Sequence, residues 1–473
     1  MKLKFLSIAT LCFCYFPTWS SQLVKLHGKI EHPIADSVIV SFNIDKINYK
    51  LQIYGAKLKS DGSFSLEFPV KDKITELEID HGNQTTDLFV EPGYDLNMTV
   101  DASDFDKTLH YEGKGKDIAN FTAKHVLEMG ALGDYGAKIR PLYVNNPDDF
   151  EKGVAEQEQK EIDFLDDNKR NLPSSFNKYW ENLFTYDGYK RMLIYAPLHE
   201  MRKKQKSFVP LKDYDKESFN VVAHVPQAFS DNLLLLPQYR DYVDNYYAFT
   251  LMAHGIENDS TNPYRMDDSM IKLSYKNMPP KTAEYFIARV LCVFSKNYSY
   301  QRELKLFAEY KKHFPKSEYK ATIEEQVVLK KKMQSGSTDF KITDINGKEV
   351  RLSDLKGKVV FLDFWASWCT PCIGQIPYIH RVEDHFKNDD NVVFLNISID
   401  NDEAAWKGAI SKYRVSGINA RDKGGWNGPV ASLYNIKSVP TYLLIDKKGH
   451  MASDIPMPNQ TDALIEKIQK LLQ

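Results

Sequence analysis

The sequence predicts three regions in series: an antiparallel β sandwich, a mostly α-helical stretch and an α/β domain. Three observations carry this. Short β-branched and aromatic runs with hairpin-spaced turns fill 22–112, apolar residues three and four apart run through 113–335, and strand and helix patterns alternate over 336–473. A chain of 473 residues is also too long for a single hydrophobic core.

Ahead of these regions, Lys2 and Lys4 precede an apolar run over 5–16 that ends at Pro17. The run is too short to span a bilayer but suits the core of a secretory signal. Thr18 and Ser20 are small enough for the −3 and −1 sites of a signal peptidase, so 1–20 is expected to be cleaved and the chain to work in the periplasm or another extracytoplasmic space. A lipid anchor would use Cys12 or Cys14. It is disfavoured because Leu11 and Phe13 stand where a small residue is needed. No later run is long and apolar enough to cross a membrane. Hydrophobic residues at 42% and charged residues at 27% are ordinary for globular chains, and the net charge of −2 gives no electrostatic reason to bind nucleic acid.

The first region reads as "SVIVSFNI", "YKLQIYGAKL", "GSFSLEFPV", "ITELEID", "TTDLFVEPG" and "YDLNMTVD", punctuated by Asp61-Gly62, His81-Gly82 and Pro92-Gly93. "GKGKD" at 113–117 is its expected exit. In the second region "GVAEQEQKEIDFLDDNKR" and "KTAEYFIARVLCVFSKNY" carry helical spacing. Cys292 falls on an apolar helix face, where a free cysteine is ordinarily a small core residue. The basic run "HEMRKKQK" at 199–206 reads as a solvated helix face, and "QSGST" as a linker. In the third region "FKITDINGKEVRLSDL" is a hairpin turning at Asn346-Gly347, "GKVVFLDFW" and "NVVFLNISID" are buried strands, and a helix occupies 371–386 between them. Helices near 403–413 and 429–434, a strand at "TYLLID" and an amphipathic helix at "TDALIEKIQKLL" complete a three-layer α/β domain.

Chemistry concentrates in "FLDFWASWCTPCIGQIPYI". Loss of the signal leaves only Cys292, Cys369 and Cys372, too few for a disulfide scaffold. Cys369 falls where a strand gives way to a helix, and free backbone N–H groups there favour a thiolate. Cys372 is one turn on, placed to attack a mixed disulfide formed by Cys369. Pro371 suits a first helical turn, which has no use for its missing N–H. A zinc site is disfavoured. It wants four ligands, no second Cys-x-x-Cys exists, and His380 and His385 diverge round their helix. A purely structural disulfide across so short a loop would constrain the unfolded chain little.

"FLDFWASWCTPC", followed some seventy residues later by "SVPTYLLIDKKG", resembles the thioredoxin superfamily. The lead-in "FKITDINGKEVRLSDLKGKVV" and "GGWNGPVASLYNIKSVPT" are similar to its TlpA/ResA-like extracytoplasmic thiol–disulfide oxidoreductases. The order of signal, β domain, helices and redox domain resembles multidomain members from Bacteroidetes-type bacteria. The resemblance implies a thioredoxin fold over 336–473 and a redox-active disulfide Cys369–Cys372. It further implies a cis bond at Val439–Pro440 and a substrate groove lined by Trp368, Val439 and Thr441 beside Pro440. Trp365 is expected in the core. Relatives often carry a glutamate three residues after the second cysteine, where this chain has Gln375, which cannot titrate. Asp363, six residues before Cys369, is therefore expected to take the Cys372 proton alone. The implied activity is reduction of protein disulfides without a cofactor, fed by a membrane thiol-electron donor. Oxidase or isomerase action, or a redox-sensing protein whose first two regions bind a ligand, are the alternatives. Assembly into a homo-oligomer is left open.

Overall fold

Strict alternation builds the first region. In the strand Ser63–Pro69, Phe64, Leu66 and Phe68 are buried while the residues between them point away from the core. The computed structural model describes residues 23–43, 45–47, 51–205, 209, 211–256, 264–295, 298–336, 339–436, 438–453 and 455–473. The expected signal, with Cys12 and Cys14, lies outside the described residues.

These residues divide into two compact units. One takes the described parts of 1–44, 51–135 and 168–176. Its strands are β1 (Leu23–Glu31), β2 (Ser37–Asn43), β3 (Leu51–Lys57), β4 (Ser63–Pro69), β5 (Thr75–His81), β6 (Gln84–Val90), β7 (Asp95–Asp101) and β8 (His110–Lys114). They form two four-stranded sheets, ordered β4-β1-β7-β8 and β3-β2-β5-β6. Phe68 of the first sheet meets Phe42 and Tyr54 of the second, each at 5.6 Å between ring centroids, so the sheets are stacked as a sandwich. The strands not foreseen are β1 and β8. In β1 the inward sequence Val24, Leu26, Ile30 is broken by Gly28, where a Cβ would lie 1.8 Å from the Met98 carbonyl oxygen. The helix Lys116–Met129 packs on β6.

The other unit takes 45–50, 136–167 and 177–473. Helical spacing is realised as Pro147–Asn168, Pro280–Arg289 and a wide helical turn over Val290–Phe294 that buries Cys292. The basic run is only partly solvated. Glu200 is fully buried and accepts from Ser218 Oγ at 2.7 Å and Asp215 N at 2.9 Å. No helix among the described residues is long and apolar enough to cross a membrane.

The α/β part holds a hairpin, β9 (Lys341–Thr343) and β10 (Glu349–Arg351), and a sheet of β11 (Val359–Trp365), β12 (Val392–Ser398), β13 (Ile418–Arg421) and β14 (Thr441–Ile445). The sheet order is β13-β12-β11-β14, parallel except for β14. Its helices are α1 (Thr370–Phe386), α2 (Glu403–Tyr413), α3 (Pro429–Leu433) and α4 (Thr461–Leu472). Every residue of β11 is buried. Val360, Leu362 and Phe364 join the core under α2 and α3, whereas Val359 and Phe361 join that under α1 and α4. This is the three-layer, thioredoxin-like arrangement that the sequence implies.

Helix α3 is short and is capped from a distance. Asp422, almost fully buried, accepts from Val430 N at 2.9 Å and Ala431 N at 2.6 Å. Gly428 makes room for it, since a Cβ there would come within 2.3 Å of the carboxyl. Asp422→Ala leaves two buried N–H groups without acceptors and is expected to cost about 3 kcal/mol. Asp422→Asn, which keeps an acceptor oxygen, is expected to cost less. Urea denaturation followed by tryptophan fluorescence checks this, and equal midpoints for the two variants would contradict it.

Candidate active site

Strand β11 ends at Trp365, and the turn that follows is anchored before the helix begins. Ser367 donates its N–H to Asp400 Oδ2 at 2.9 Å and its hydroxyl to Asp400 Oδ1 at 2.7 Å, while Ser398 Oγ donates to the same carboxylate at 2.7 Å. Asp400 lies just past the end of β12, so the two parallel strands jointly fix the approach to Cys369. Cys369 is the N-cap of α1, and its Sγ accepts from Cys372 N at 3.1 Å. The two sulfurs form a disulfide with the Cα atoms 5.3 Å apart. Pro371 sits in the first turn, and Pro377 lies on the exposed side of the helix interior.

Both cysteines are nearly buried, at 4% and 3% exposure, but the residues around them are not. Trp368 is 58% exposed and Trp426 is 41% exposed, with ring centroids 6.1 Å apart, and Thr370 and Pro371 are also exposed. Trp426 stands in the loop "GGWNG", where Gly424 and Gly425 adopt φ of 117° and 58°. Sequence reasoning missed Trp426. Its signal was an aromatic residue set among glycines, where a core residue is out of place. The Val439–Pro440 bond is cis, and both residues are half-buried. Thr441 is buried and donates its hydroxyl to the Ser438 carbonyl at 2.6 Å, so its side chain fastens this loop from inside.

Behind the disulfide, Asp363 projects from β11 toward α1. It is 4% exposed, and its Oδ1 has no hydrogen-bond partner among the described residues. Burial, with a smaller contribution from the Glu383 carboxylate, pushes its pKa up to about 8. Asp363, Trp365, Cys372, His380, Glu383 and Asn396 share the lining of a cavity of about 10 Å³. Gln375 is buried but serves elsewhere, since its Oε1 accepts from Asn459 N at 3.1 Å in the loop before α4. Glu383 was also missed. It lies eleven residues, about three turns, beyond Cys372, so helical periodicity returns it to the same face. Among the described residues, no cluster of three or more His, Cys, Asp or Glu is placed to hold a metal ion.

Comparison with known proteins identifies the domain that carries these residues. Residues 331–468 match the Redoxin family. A thiol-disulfide oxidoreductase ResA from Bacillus cereus is 35% identical over 144 residues, which are 30% of this chain and 81% of that protein. The chain belongs to the ResA-like thiol-disulfide oxidoreductases. A ResA from Bacillus subtilis is 30% identical over 139 residues, covering 29% of this chain and 75% of its own length. The thioredoxin domain of a thiol-disulfide oxidoreductase from Bacteroides vulgatus is 26% identical, with a TM-score of 0.26, over 29% of this chain and 94% of that one. On the Redoxin match and the ResA relatives, this domain is a thioredoxin-like thiol–disulfide oxidoreductase.

The protonated Asp363 has a consequence for stability. In the unfolded chain an aspartate is ionised above about pH 4, while in the fold it keeps its proton up to about pH 8. The native state binds one more proton in that window. Stability of the oxidised protein therefore falls as pH rises through it, by at most about 1.4 kcal/mol per unit. Asp363→Asn is expected to remove this slope. Denaturant titrations of both oxidised proteins at pH 5 and pH 7.5 test it, and equal pH dependence in the two would contradict the assignment.

Proposed function

We propose that the chain is exported and reduces disulfides in polypeptides, with 336–473 as the catalytic domain following a β domain at 22–112 and a helical region at 113–335. The observation that carries this reading is the Cys369–Cys372 pair at a helix N-terminus with the buried, protonatable Asp363 sharing a cavity with Cys372. The Cys369 thiolate, favoured by the helix N-terminus, attacks one sulfur of the substrate disulfide. That bond breaks, and the first substrate sulfur leaves as a thiolate and is protonated from solvent. In the fraction of molecules whose Asp363 is deprotonated, a fraction that grows as pH nears about 8, Cys372 then passes its proton to that carboxylate and its sulfur attacks Cys369 Sγ. The mixed disulfide breaks, the second substrate sulfur leaves, and two electrons have passed from the dithiol to the substrate.

Pro440 and the backbone of Val439 would pair with an extended substrate strand, with Thr441 holding their loop. Trp368, together with Trp426, would receive apolar side chains that flank the substrate's cysteine. The apolar run at 5–16 ahead of Thr18 and Ser20 supports export with cleavage after Ser20. An exporting compartment is oxidising, so a membrane thiol-electron donor would return the domain to its dithiol form. No cofactor enters these steps.

The reduction potential of the couple in the full mature chain, equilibrated against glutathione or dithiothreitol buffers, decides the direction. A value near about −250 mV or below is expected for a reductant, and one above about −180 mV would make an oxidase or isomerase the better account. Cys372→Ser should hold substrates as mixed disulfides on Cys369 that dithiothreitol releases. Trp426→Ala should raise KM for a polypeptide disulfide about tenfold with little change in kcat, as about 1.4 kcal/mol of lost apolar contact requires.

A further inference from the structure

Glu383 is the second carboxyl of the cavity that contains Asp363, and the steps above give it no part. Helix α1 sets Cys372, Ile376, Ile379 and Glu383 along one face, and all four line this cavity with Asp363. Its volume of about 10 Å³ is close to the lower limit for a single water molecule. At the inner end, Asp363 Oδ1 is buried and without a hydrogen-bond partner among the described residues. At the outer end, Glu383 is half-buried and accepts from Ser416 Oγ. Beside it, half-buried His380 donates from Nε2 to the Arg414 carbonyl at 3.0 Å.

We propose that Glu383 is a positioning residue for proton transfer, carrying the proton that Asp363 receives from Cys372 across a cavity water and out to solvent beside His380. The inference rests on the reading of Asp363 as the base. When Cys372 attacks, its proton goes to Asp363 and must leave before the next cycle. Asp363 is too buried to release it to solvent directly, whereas Glu383 faces both the cavity and the surface. The proton moves from Asp363 to the water as the water gives one of its own to Glu383. Glu383 then releases it to buffer, and no electrons move in this step.

The charges around Glu383 suit an intermediate stop. Burial is the main influence on its carboxyl and raises it, the Ser416 hydrogen bond and His380 oppose that, and Asp384 adds to the rise. From β11 the facing group is Asp363, and behind it stands Tyr442 of β14, whose hydroxyl burial holds well above its ordinary range. The 414–417 loop offers the Ser416 hydroxyl and the Arg414 carbonyl, and α4, also packed on α1, brings no charge that acts on Glu383.

The test uses the full mature chain at catalytic concentration with excess insulin and dithiothreitol, so that each molecule cycles many times, and follows the steady-state rate above the dithiothreitol-only rate from pH 5 to pH 9.5. Glu383→Gln keeps an acceptor for Ser416 and is expected to fold. Its plateau rate should fall about tenfold or more and recover with added imidazole buffer. The acidic limb of its profile should also move to lower pH, because a negative charge near Asp363 is gone. A plateau that falls without buffer rescue would mark a structural role, and a profile identical to the parent's would mean that the proton leaves another way. Either result overturns the inference. Asp363→Asn, run in parallel, separates the two ideas. If it loses the acidic limb while Glu383→Gln behaves as the parent, the base reading stands and the relay falls. If Asp363→Asn keeps the parent profile, both fall.

Discussion

Strand β11 is buried along its whole length, and the redox domain is arranged around that constraint. A strand covered on both faces must carry apolar residues throughout, yet β11 places Asp363 on the face that α1 covers. The cost of keeping a carboxyl there is met by keeping it protonated, and its raised pKa is the record of that choice. The same strand delivers the chain to Cys369, pairs with β14 below the Val439–Pro440 loop, and lies beside β12, whose end supplies Asp400. One buried strand thus fixes the cysteines, the acid behind them and the loop opposite.

Much of this was legible in the residues. The run "VVFLDFW" has the composition of a fully buried strand, and an aspartate inside it invites a chemical explanation. Helix α2 runs over 403–413, and α1 starts within a residue of the expected place, because caps and turn residues mark them plainly. Strand β13 was harder. Its four residues, "INAR", are too few and too polar to show a period, and they become a strand only by pairing with β12. Strand β1 was obscured by Gly28, whose missing side chain is dictated by a carbonyl some seventy residues away. Both misses have the same physical origin, a partner distant in sequence.

The site itself divides along the same line. Cys369, Cys372 and Asp363 are close in sequence and could be read together. Asp400, Glu383 and Trp426 reach the site through β12, the fourth turn of α1 and the loop before α3, so proximity comes only with the fold. Trp426 depends on the most elaborate support of the three. Two glycines turn its loop, and Asp422 ties the following helix down. The exposed indole is held out by buried polar contacts, which keeps an apolar surface available without letting it collapse inward.

Cys292 bears on how the protein handles electrons as a whole. Its side chain is sealed in the helical region at 5% exposure, and burial raises its thiol far from the thiolate form that exchanges with disulfides. The domain's partners therefore meet one exchangeable sulfur pair, and the third sulfur stays silent. Among the described cysteines, the folded chain is thus a two-electron carrier with no internal branch point. In the proposed cycle Cys372 resolves the mixed disulfide on Cys369, and the buried Cys292 offers no competing exit that would scramble the pairing.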